Sequence, residues 1–290
     1  MARFWVLCAA LLFSTGGVAI KATDLSSWQV ASFRSGVAAA ALMLLLPAWR
    51  RWWGPRQLAV GAAYAATLIL FVVGNKLTTA ANTIFLQGTA PLYVLLLAPW
   101  LLRERIRGRD LAYMSGLAAG LLLVLWGGDP AHRSAPNPAL GNRVAALAGI
   151  AWALTLLGLR WLGRRPASGG RDPAGEAVVA GNLIAFAVAL PWTWPIAESS
   201  AVDWGIVAYL GLFQIGLAYV AMTRGIRGVG ALELSLLLLV EPVLSALLAW
   251  ASFDERPGVR ALAGYGLILA TTAAMTLPRR APPGDALEPR

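Results

Sequence analysis

Ten apolar stretches, each long enough to cross a lipid bilayer, follow one another along this 290-residue chain. A spanning helix needs about 20 mostly apolar residues, and only a helix satisfies all the backbone polar groups of an isolated run inside lipid. The pattern therefore predicts an all-α integral membrane protein with ten transmembrane helices. The stretches fall at about residues 3–20, 28–47, 57–74, 79–102, 110–127, 142–162, 176–196, 203–222, 230–252 and 259–277.

Composition supports a membrane location and excludes several other classes. Hydrophobic residues make up 58% of the chain and charged residues only 13%, whereas soluble domains carry about 25% charged residues. The net charge of +10 does not indicate a nucleic-acid partner, because the basic residues lie in the gaps between apolar stretches. A single cysteine and a single histidine exclude an internal disulfide and a Cys/His zinc site. We expect no metal and no cofactor.

The basic residues also predict an orientation. With the N-terminus in the cytoplasm, seventeen of the 24 Lys and Arg residues fall on the inner side and six on the outer side, and Arg34 lies within the second stretch. Cytoplasmic loops carry the excess of positive charge. The sequence therefore predicts a multi-pass protein of the inner (plasma) membrane with both termini in the cytoplasm.

One phrase occurs twice. Residues 89–105 read TAPLYVLLLAPWLLRER and residues 240–256 read VEPVLSALLAWASFDER. Pro91 and Pro242 are 151 residues apart, as are Glu104 and Glu255, each followed by Arg. The copies lie on the fourth and ninth predicted spans, so an odd number of spans separates them and the second copy is inverted. Inverted repeats are the architecture of many secondary transporters.

The chain thus divides into two five-helix repeats of opposite orientation. We assign residues 1–135 to the first repeat, 136–280 to the second, and 281–290 to a disordered tail. In such proteins the solute binds near the bilayer midplane, between the halves.

Five segments in this order resemble the drug/metabolite transporter superfamily, of the ten-helix EamA type. The resemblance covers nearly the whole chain, although Ser14 stands where that family commonly has tryptophan. It implies a carrier of amino acids, other metabolites, sugars or drugs across the bacterial inner membrane, and it specifies no substrate. The segments are FSTGGVAIK (13–21), SFRSGVAAAALMLL (32–45), residues 79–105, FQIGLAYVAMTRGI (213–226) and residues 233–256.

Glu241 is the most distinctive candidate for function. It lies near the middle of the ninth span, directly before Pro242, and intramembrane acids are functional candidates by default. It can exchange a proton, which would couple transport to a proton gradient, or face a cationic group of a solute. It can equally be a structural acid hydrogen-bonded to a neighbouring helix, a role favoured by the resemblance, in which glutamate here is common whatever the substrate.

Polar and aromatic side chains within the spans are the remaining candidates for solute binding. Such residues orient a solute in an apolar pocket, but they also form ordinary interhelical hydrogen bonds. The candidates are Gln87, Thr83, Asn82, Ser14, Trp152, Gln214, Tyr219 and Ser245, in addition to Glu241.

Five residues are expected to act in gating or in structure. Pro91 and Pro242 each remove a backbone hydrogen bond and predict kinks beside the central cavity. Glu104 and Glu255 end their helices at opposite surfaces, either as parts of two gates or as exposed interfacial anchors. Arg34 either attracts an anionic carboxylate or extends to the membrane surface, and we favour the second.

These features predict a secondary-active carrier, an exporter of amino acids or related metabolites that works by alternating access. A drug or cation efflux carrier of the same fold is the alternative. An intramembrane enzyme or receptor fits less well, because the spans lack a P-loop, an HExxH motif and a nucleophile elbow. The chain is therefore not expected to be an enzyme, its partners are lipid and a small solute, and it is a monomer or a dimer.

Overall fold

A computed structural model of the chain describes residues 1–50, 53–101, 108–126, 131, 133–163, 172–196, 199–225, 237–238 and 240–276. Within these residues the chain is helical, with two short 3₁₀ turns and one π-helix, Leu210–Leu217. The α-helices are α1 Ala2–Ser14, α2 Gly16–Lys21, α3 Ser27–Leu45, α4 Pro55–Leu77, α5 Ala80–Gln87, α6 Ala90–Leu101, α7 Gly108–Leu125, α8 Pro138–Gly163, α9 Pro173–Ala189, α10 Ala201–Tyr209, α11 Ala218–Gly225, α12 Val240–Phe253 and α13 Val259–Thr276.

Together these helices form the predicted ten spans. Eight apolar segments of the described chain are long enough to cross a bilayer, and two shorter apolar helices, Val240–Phe253 and Val259–Met275, follow them. The first span is α1 with α2, the fourth is α5 with α6, and the eighth is α10, the π-helix and α11. The all-helical ten-span prediction is thereby confirmed.

Side-chain caps fix several helix starts. Ser26 and Gln29 form a capping box at α3, and Ser200 and Asp203 form another at α10. The hydroxyl of Thr79 accepts the backbone N–H of Asn82 at the start of α5. Such caps satisfy N–H groups that a helix leaves free in its first turn.

The break in the fourth span differs from the prediction. The helix ends at Gln87 and restarts at Ala90, so Pro91 lies in the first turn of α6. A proline is tolerated there because its missing N–H would have no helical partner anyway. Pro91 therefore follows a break at Gly88–Thr89 and does not kink a continuous helix. Pro242 lies in α12, and residues 226–236 and 239 before it lie outside the described part of the chain.

Two buried clusters organise the interior. One joins α3, α4, α9 and the π-helix through side chains such as Leu42, Tyr64 and Ile215. The other joins the fourth, fifth, sixth and last spans through side chains such as Phe85 and Tyr265. The first span lies against the eighth and ninth, so helices from both predicted repeats meet around it.

Candidate functional site

Aromatic side chains from four spans meet inside the bundle and form what we call the aromatic cluster: Phe13, Tyr64, Trp152 and Tyr219. The ring of Tyr219 meets Phe13 edge-on at 5.7 Å between centroids and Tyr64 at 5.9 Å. Trp152 lies 6.5 Å from Tyr64. Phe13, Trp152 and Tyr219 are only half-buried, although each lies well inside its span. Small-molecule sites are lined mainly by apolar and aromatic side chains, so the aromatic cluster is a candidate contact surface for an apolar solute body.

Glu241 adds a carboxylate beside this cluster. It is half-buried in α12 and lies close enough to Tyr219 to interact electrostatically with it. Within the described part of the chain, the Glu241 carboxylate forms no ion pair with a Lys or Arg side chain. The carboxylate is therefore free to face a cationic or proton-donating group.

A break in the first span brings further polar groups together. The hydroxyl of Ser14 bonds to Leu11 O and that of Thr15 to Leu12 O, both at 2.7 Å, at the point where α1 ends. Thr15 also shares a 2.8 Å hydrogen bond with the Tyr209 hydroxyl. Side chains that bond to the preceding turn compete with the helical backbone bonds, which explains why the helix is interrupted here.

The two glycines after this break allow neighbouring helices to approach. A Cβ on Gly16 would lie 2.7 Å from Nε2 of Gln214, closer than any side chain tolerates. A Cβ on Gly17 would lie 3.4 Å from the Ser245 hydroxyl and 3.6 Å from Nδ2 of Asn75. Amide and hydroxyl groups of the third, eighth and ninth spans thus surround the interrupted turn.

Two of these side-chain amides have polar atoms that lack a hydrogen-bond partner among the described residues. Both polar atoms of the Asn75 side chain and Oε1 of Gln214 are buried and have no hydrogen-bond partner within the described part of the chain. Gln214 lies in the π-helix, and such segments are rare and often mark functional sites. Native proteins pair nearly all buried polar groups, so these amides indicate a place where another arrangement of the helices, or a solute, supplies the partner.

Arg34 does not reach the membrane surface, contrary to our expectation. Its side chain is buried at 1% exposure, and Nη2 donates to the carbonyl of Leu68 at 3.1 Å. It begins the third turn of α3, too deep for its guanidinium to extend past the packed third span.

Glu255 is likewise not an exposed anchor. Its carboxylate pairs with Nζ of Lys21 at 2.9 Å, and both side chains are at most 2% exposed. The backbone N–H of Ala80 and the hydroxyl of Ser134 donate to the same carboxylate, each at 2.8 Å, while Lys21 donates to the carbonyls of Thr78 and Ser134. These residues, the Lys21–Glu255 cluster, join the first, fourth and ninth spans at the end of the bundle predicted to face outward.

A second network lies at the same end. Thr23 donates its hydroxyl to Asp203 at 2.8 Å, and the backbone N–H of Asp24 donates to the same oxygen at 2.9 Å. Lys76 donates to the carbonyl of Thr23. Lys21 therefore belongs to the packed interior of this end, and Lys76 is half-buried beside it.

The remaining predicted residues belong to the fourth and ninth spans. Asn82 belongs to a polar group with Thr78, Asn142 and Tyr265, in which its amide is fully engaged. The hydroxyl of Thr83 bonds to Thr79 O within its own helix. Gln87 is half-buried at the end of α5, and Ser245 is buried. Glu104 lies outside the described residues.

Sequence reasoning missed Phe13, Tyr64, Asn75 and Tyr209. Tyr64 and Asn75 are eleven residues apart, or about three helical turns, and so share one face of α4. That spacing is visible in the sequence and was the available signal. Among the described residues no group of three or more His, Cys, Asp or Glu side chains is arranged to hold a metal ion.

Comparison with known proteins places these features in a family. Relatives include the uncharacterized transporter YyaM of Bacillus subtilis, 26% identical over 63% of this chain and 60% of its own length. The aromatic amino acid exporter YddG of Ancylobacter novellus is 25% identical over 94% of this chain and 88% of its own. The uncharacterized protein PA1977 of Pseudomonas aeruginosa is 32% identical over 91% and 89%.

A solved crystal structure shares the fold. It is 21% identical, covers 95% of this chain and 96% of its own, and superposes with a TM-score of 0.59. The sequence profile of the EamA-like transporter family matches residues 1–126 and 139–277, nearly the whole length. The chain therefore belongs to the EamA-like transporter family and is a multi-pass membrane transporter of small solutes.

Proposed function

We propose that this protein is a secondary carrier that exports small organic solutes with an apolar body, aromatic amino acids or related metabolites, by alternating access. The observation that carries the proposal is the half-buried aromatic cluster within the membrane, with the Glu241 carboxylate beside it. Aromatic rings in edge-on pairs favour a further flat apolar group, at about 0.5–1.5 kcal/mol a pair. The named activity of the YddG relative, aromatic amino acid export, agrees with a solute of this kind.

The Lys21–Glu255 cluster supports alternating access. It joins the end of the first span, in the first repeat, to the end of the ninth span, in the second repeat. A buried charge pair is stable only with good geometry and satisfied neighbours, and here both charges have additional hydrogen bonds. In our proposal this cluster closes the outer end of the bundle and breaks when the halves move apart.

The proposal places the protein in the inner membrane with both termini in the cytoplasm. It treats residues 1–135 and 136–280 as the two moving halves, as in other inverted-repeat carriers. Proton coupling through Glu241 is part of the proposal, because an acid inside the membrane and beside the solute site can change protonation as the site changes sides.

A cation efflux carrier is the second candidate. The Glu241 carboxylate has no cationic partner in the described part of the chain, and an aromatic site with one carboxylate also fits an aromatic cation. The two functions differ in whether the solute needs a carboxylate of its own.

Transport by purified protein in liposomes tests both functions. Vesicles are loaded with a mixture of amino acids, nucleosides, sugars and a cationic dye, and efflux is followed by mass spectrometry with and without a pH gradient. Faster efflux of phenylalanine, tyrosine or tryptophan than from protein-free vesicles supports the export proposal. Efflux of the dye alone supports the second candidate, and efflux of none of these compounds contradicts both.

A pair of tryptophan variants tests the site itself. Trp152→Ala removes a ring from the aromatic cluster and is expected to lower efflux at least tenfold. Trp100→Ala removes a ring that is 86% exposed at the periphery and is expected to change little. Equal effects of the two substitutions would remove the aromatic cluster from the transport pathway.

A further inference from the structure

Arg34 carries a buried positive charge that the described chain leaves without a counter-charge. A guanidinium stays protonated in proteins and offers five donors. One donor, on Nη2, goes to the carbonyl of Leu68, and Nε is buried with no partner. No carboxylate of the described residues lies within ion-pair distance of it. Ionisable residues in this situation within a membrane mark solute or ion pathways.

The surroundings of Arg34 lead to the aromatic cluster. Tyr64, one helical turn before Leu68 on α4, interacts electrostatically with the Arg34 charge. Asn182 on α9 lies near the same tyrosine, and its Oδ1 is buried with no hydrogen-bond partner among the described residues. Arg34 thus lies directly behind one wall of the proposed solute site.

Glu241, on the other side of the two tyrosines from Arg34, carries the opposite charge. The ring of Tyr64 contacts the ring of Tyr219, and Tyr219 interacts electrostatically with Glu241. Arg34 and Glu241 therefore lie at the two ends of a path formed by two tyrosines, one charge from each predicted repeat. A solute with both a carboxylate and an ammonium group complements both charges of this arrangement, and a solute with only a positive charge complements one of them.

The π-helix of the eighth span packs against the backbone of Arg34. A Cβ on Gly211, in the π-helix of the eighth span, would lie 2.8 Å from the backbone carbonyl oxygen of Arg34. A π-helix accommodates an extra residue within an otherwise α-helical span and often lies at a functional site. The Arg34 side chain is buried at 1% exposure, so a solute carboxylate reaches its guanidinium only after the surrounding helices move.

We propose that Arg34 recognises the carboxylate of the transported solute, by the bidentate geometry that guanidinium and carboxylate groups share. The inference rests on the proposed transport of aromatic solutes and adds a selectivity for carboxylates. A purely structural arginine would affect every solute equally. A carboxylate-binding arginine affects only the solutes that carry one.

The test compares L-phenylalanine with phenylethylamine, which lacks the carboxylate, in liposomes containing the full chain. Arg34→Gln is expected to lower phenylalanine transport at least tenfold more than phenylethylamine transport. Arg34→Lys keeps the charge but loses the bidentate geometry, so it is expected to raise the KM for phenylalanine several-fold at a similar maximal rate. Arg256→Gln, which removes an exposed arginine, serves as the matched control and is expected to change neither solute.

The outcomes separate the two proposals. Wild-type protein that moves neither compound contradicts the proposed function and this inference with it. Wild-type protein that moves phenylalanine, combined with an equal loss of both compounds in Arg34→Gln, overturns the inference and leaves the proposed function standing. If Arg34→Gln does not fold, the Arg34→Lys variant decides, because an unchanged KM for phenylalanine there also overturns the inference.

Discussion

Breaking the Lys21–Glu255 ion pair is expected to open the end of the bundle that we predict to face outward. The carboxylate accepts from the Lys21 ammonium at 2.9 Å and from Ala80 and Ser134 at 2.8 Å each. Removing one partner of a buried ion pair costs about 3–5 kcal/mol. We expect the lower end of that range, because Lys21 keeps the carbonyl of Thr78 as an acceptor at 2.7 Å.

The expected population shift follows from that energy. If the cluster forms only when this end is closed, a loss of about 3 kcal/mol shifts the open–closed equilibrium by a factor of about 100, since about 1.4 kcal/mol corresponds to tenfold. Glu255→Gln is the smallest change that removes the charge, because the amide has nearly the size of the carboxylate and still accepts a hydrogen bond from Ala80.

A cysteine beneath the cluster reports the opening. In a Cys8→Ser background, Thr83→Cys places a thiol at a fully buried position one turn into α5 from Ala80. A membrane-impermeant thiol reagent is added from outside, and the labelling rate is measured. Glu255→Gln is expected to raise the rate about 100-fold at constant thiol reactivity, in line with the shift in equilibrium.

A double-mutant cycle and a neighbouring variant provide the controls. Because Lys21→Met and Glu255→Gln break the same interaction, the double variant is expected to label no more than about twofold faster than either single variant. Arg256→Gln removes a charge at the next position, whose side chain is 76% exposed, and is expected to leave the rate unchanged. Unchanged labelling in Glu255→Gln, or effects of the single variants that simply multiply, would refute a role of the ion pair in closing this end.

Three further substitutions probe other parts of the structure. Glu241→Gln is expected to remove the dependence of transport on a pH gradient, while Glu104→Gln is expected to keep that dependence. Identical transport by wild-type protein and the Glu241→Gln variant in liposomes at every pH would contradict a role of Glu241 in proton coupling. Asn75→Leu replaces a buried amide that has no hydrogen-bond partner among the described residues, and it is expected to raise stability by about 1 kcal/mol and to lower transport. Thermal unfolding in detergent measures the stability, and efflux from liposomes measures the transport. Lower stability with normal transport would count against the proposed polar site. Gly120→Leu inserts a side chain where a Cβ alone would lie 2.7 Å from Ile268 and is expected to destabilise the protein by about 1–3 kcal/mol. Gly266→Leu is the control, because no atom lies within 4 Å of a Cβ at that position. Equal melting temperatures of the two variants would contradict tight packing of the fifth span on the last.

Much of the fold was predictable because the membrane restricts it. A long apolar run in lipid must form a helix, because only a helix pairs all of its backbone polar groups. The number and order of spans therefore followed from hydropathy, and the fold class was confirmed. The sequence indicated an interruption of the fourth span at Pro91 but not its form. A proline signals a kink in any helix, but only the structure reveals that the chain had already left the helix at Gly88, which puts Pro91 in a tolerated first turn.

The candidate site was less predictable, because polar residues within spans look alike in sequence. Asn82 and Asn75 are both intramembrane amides, yet the first is bonded to Thr78, Asn142 and Tyr265 and the second has no partner among the residues that the structure describes. Spacing along one helix identifies which residues share a face. It does not reveal what the facing helix offers.

Sequence alone determined that this protein is a ten-span membrane protein with a doubled phrase, because hydropathy and repetition are properties of the chain itself. Only the tertiary structure decided the environment of its charges. Glu255 ends its helix like a surface residue but meets Lys21 from a span more than 230 positions earlier in the chain, and Arg34 is held in the interior. The physical reason is that the free energy of a charge in a membrane depends on its depth and its partners, and both are set by which helices pack together.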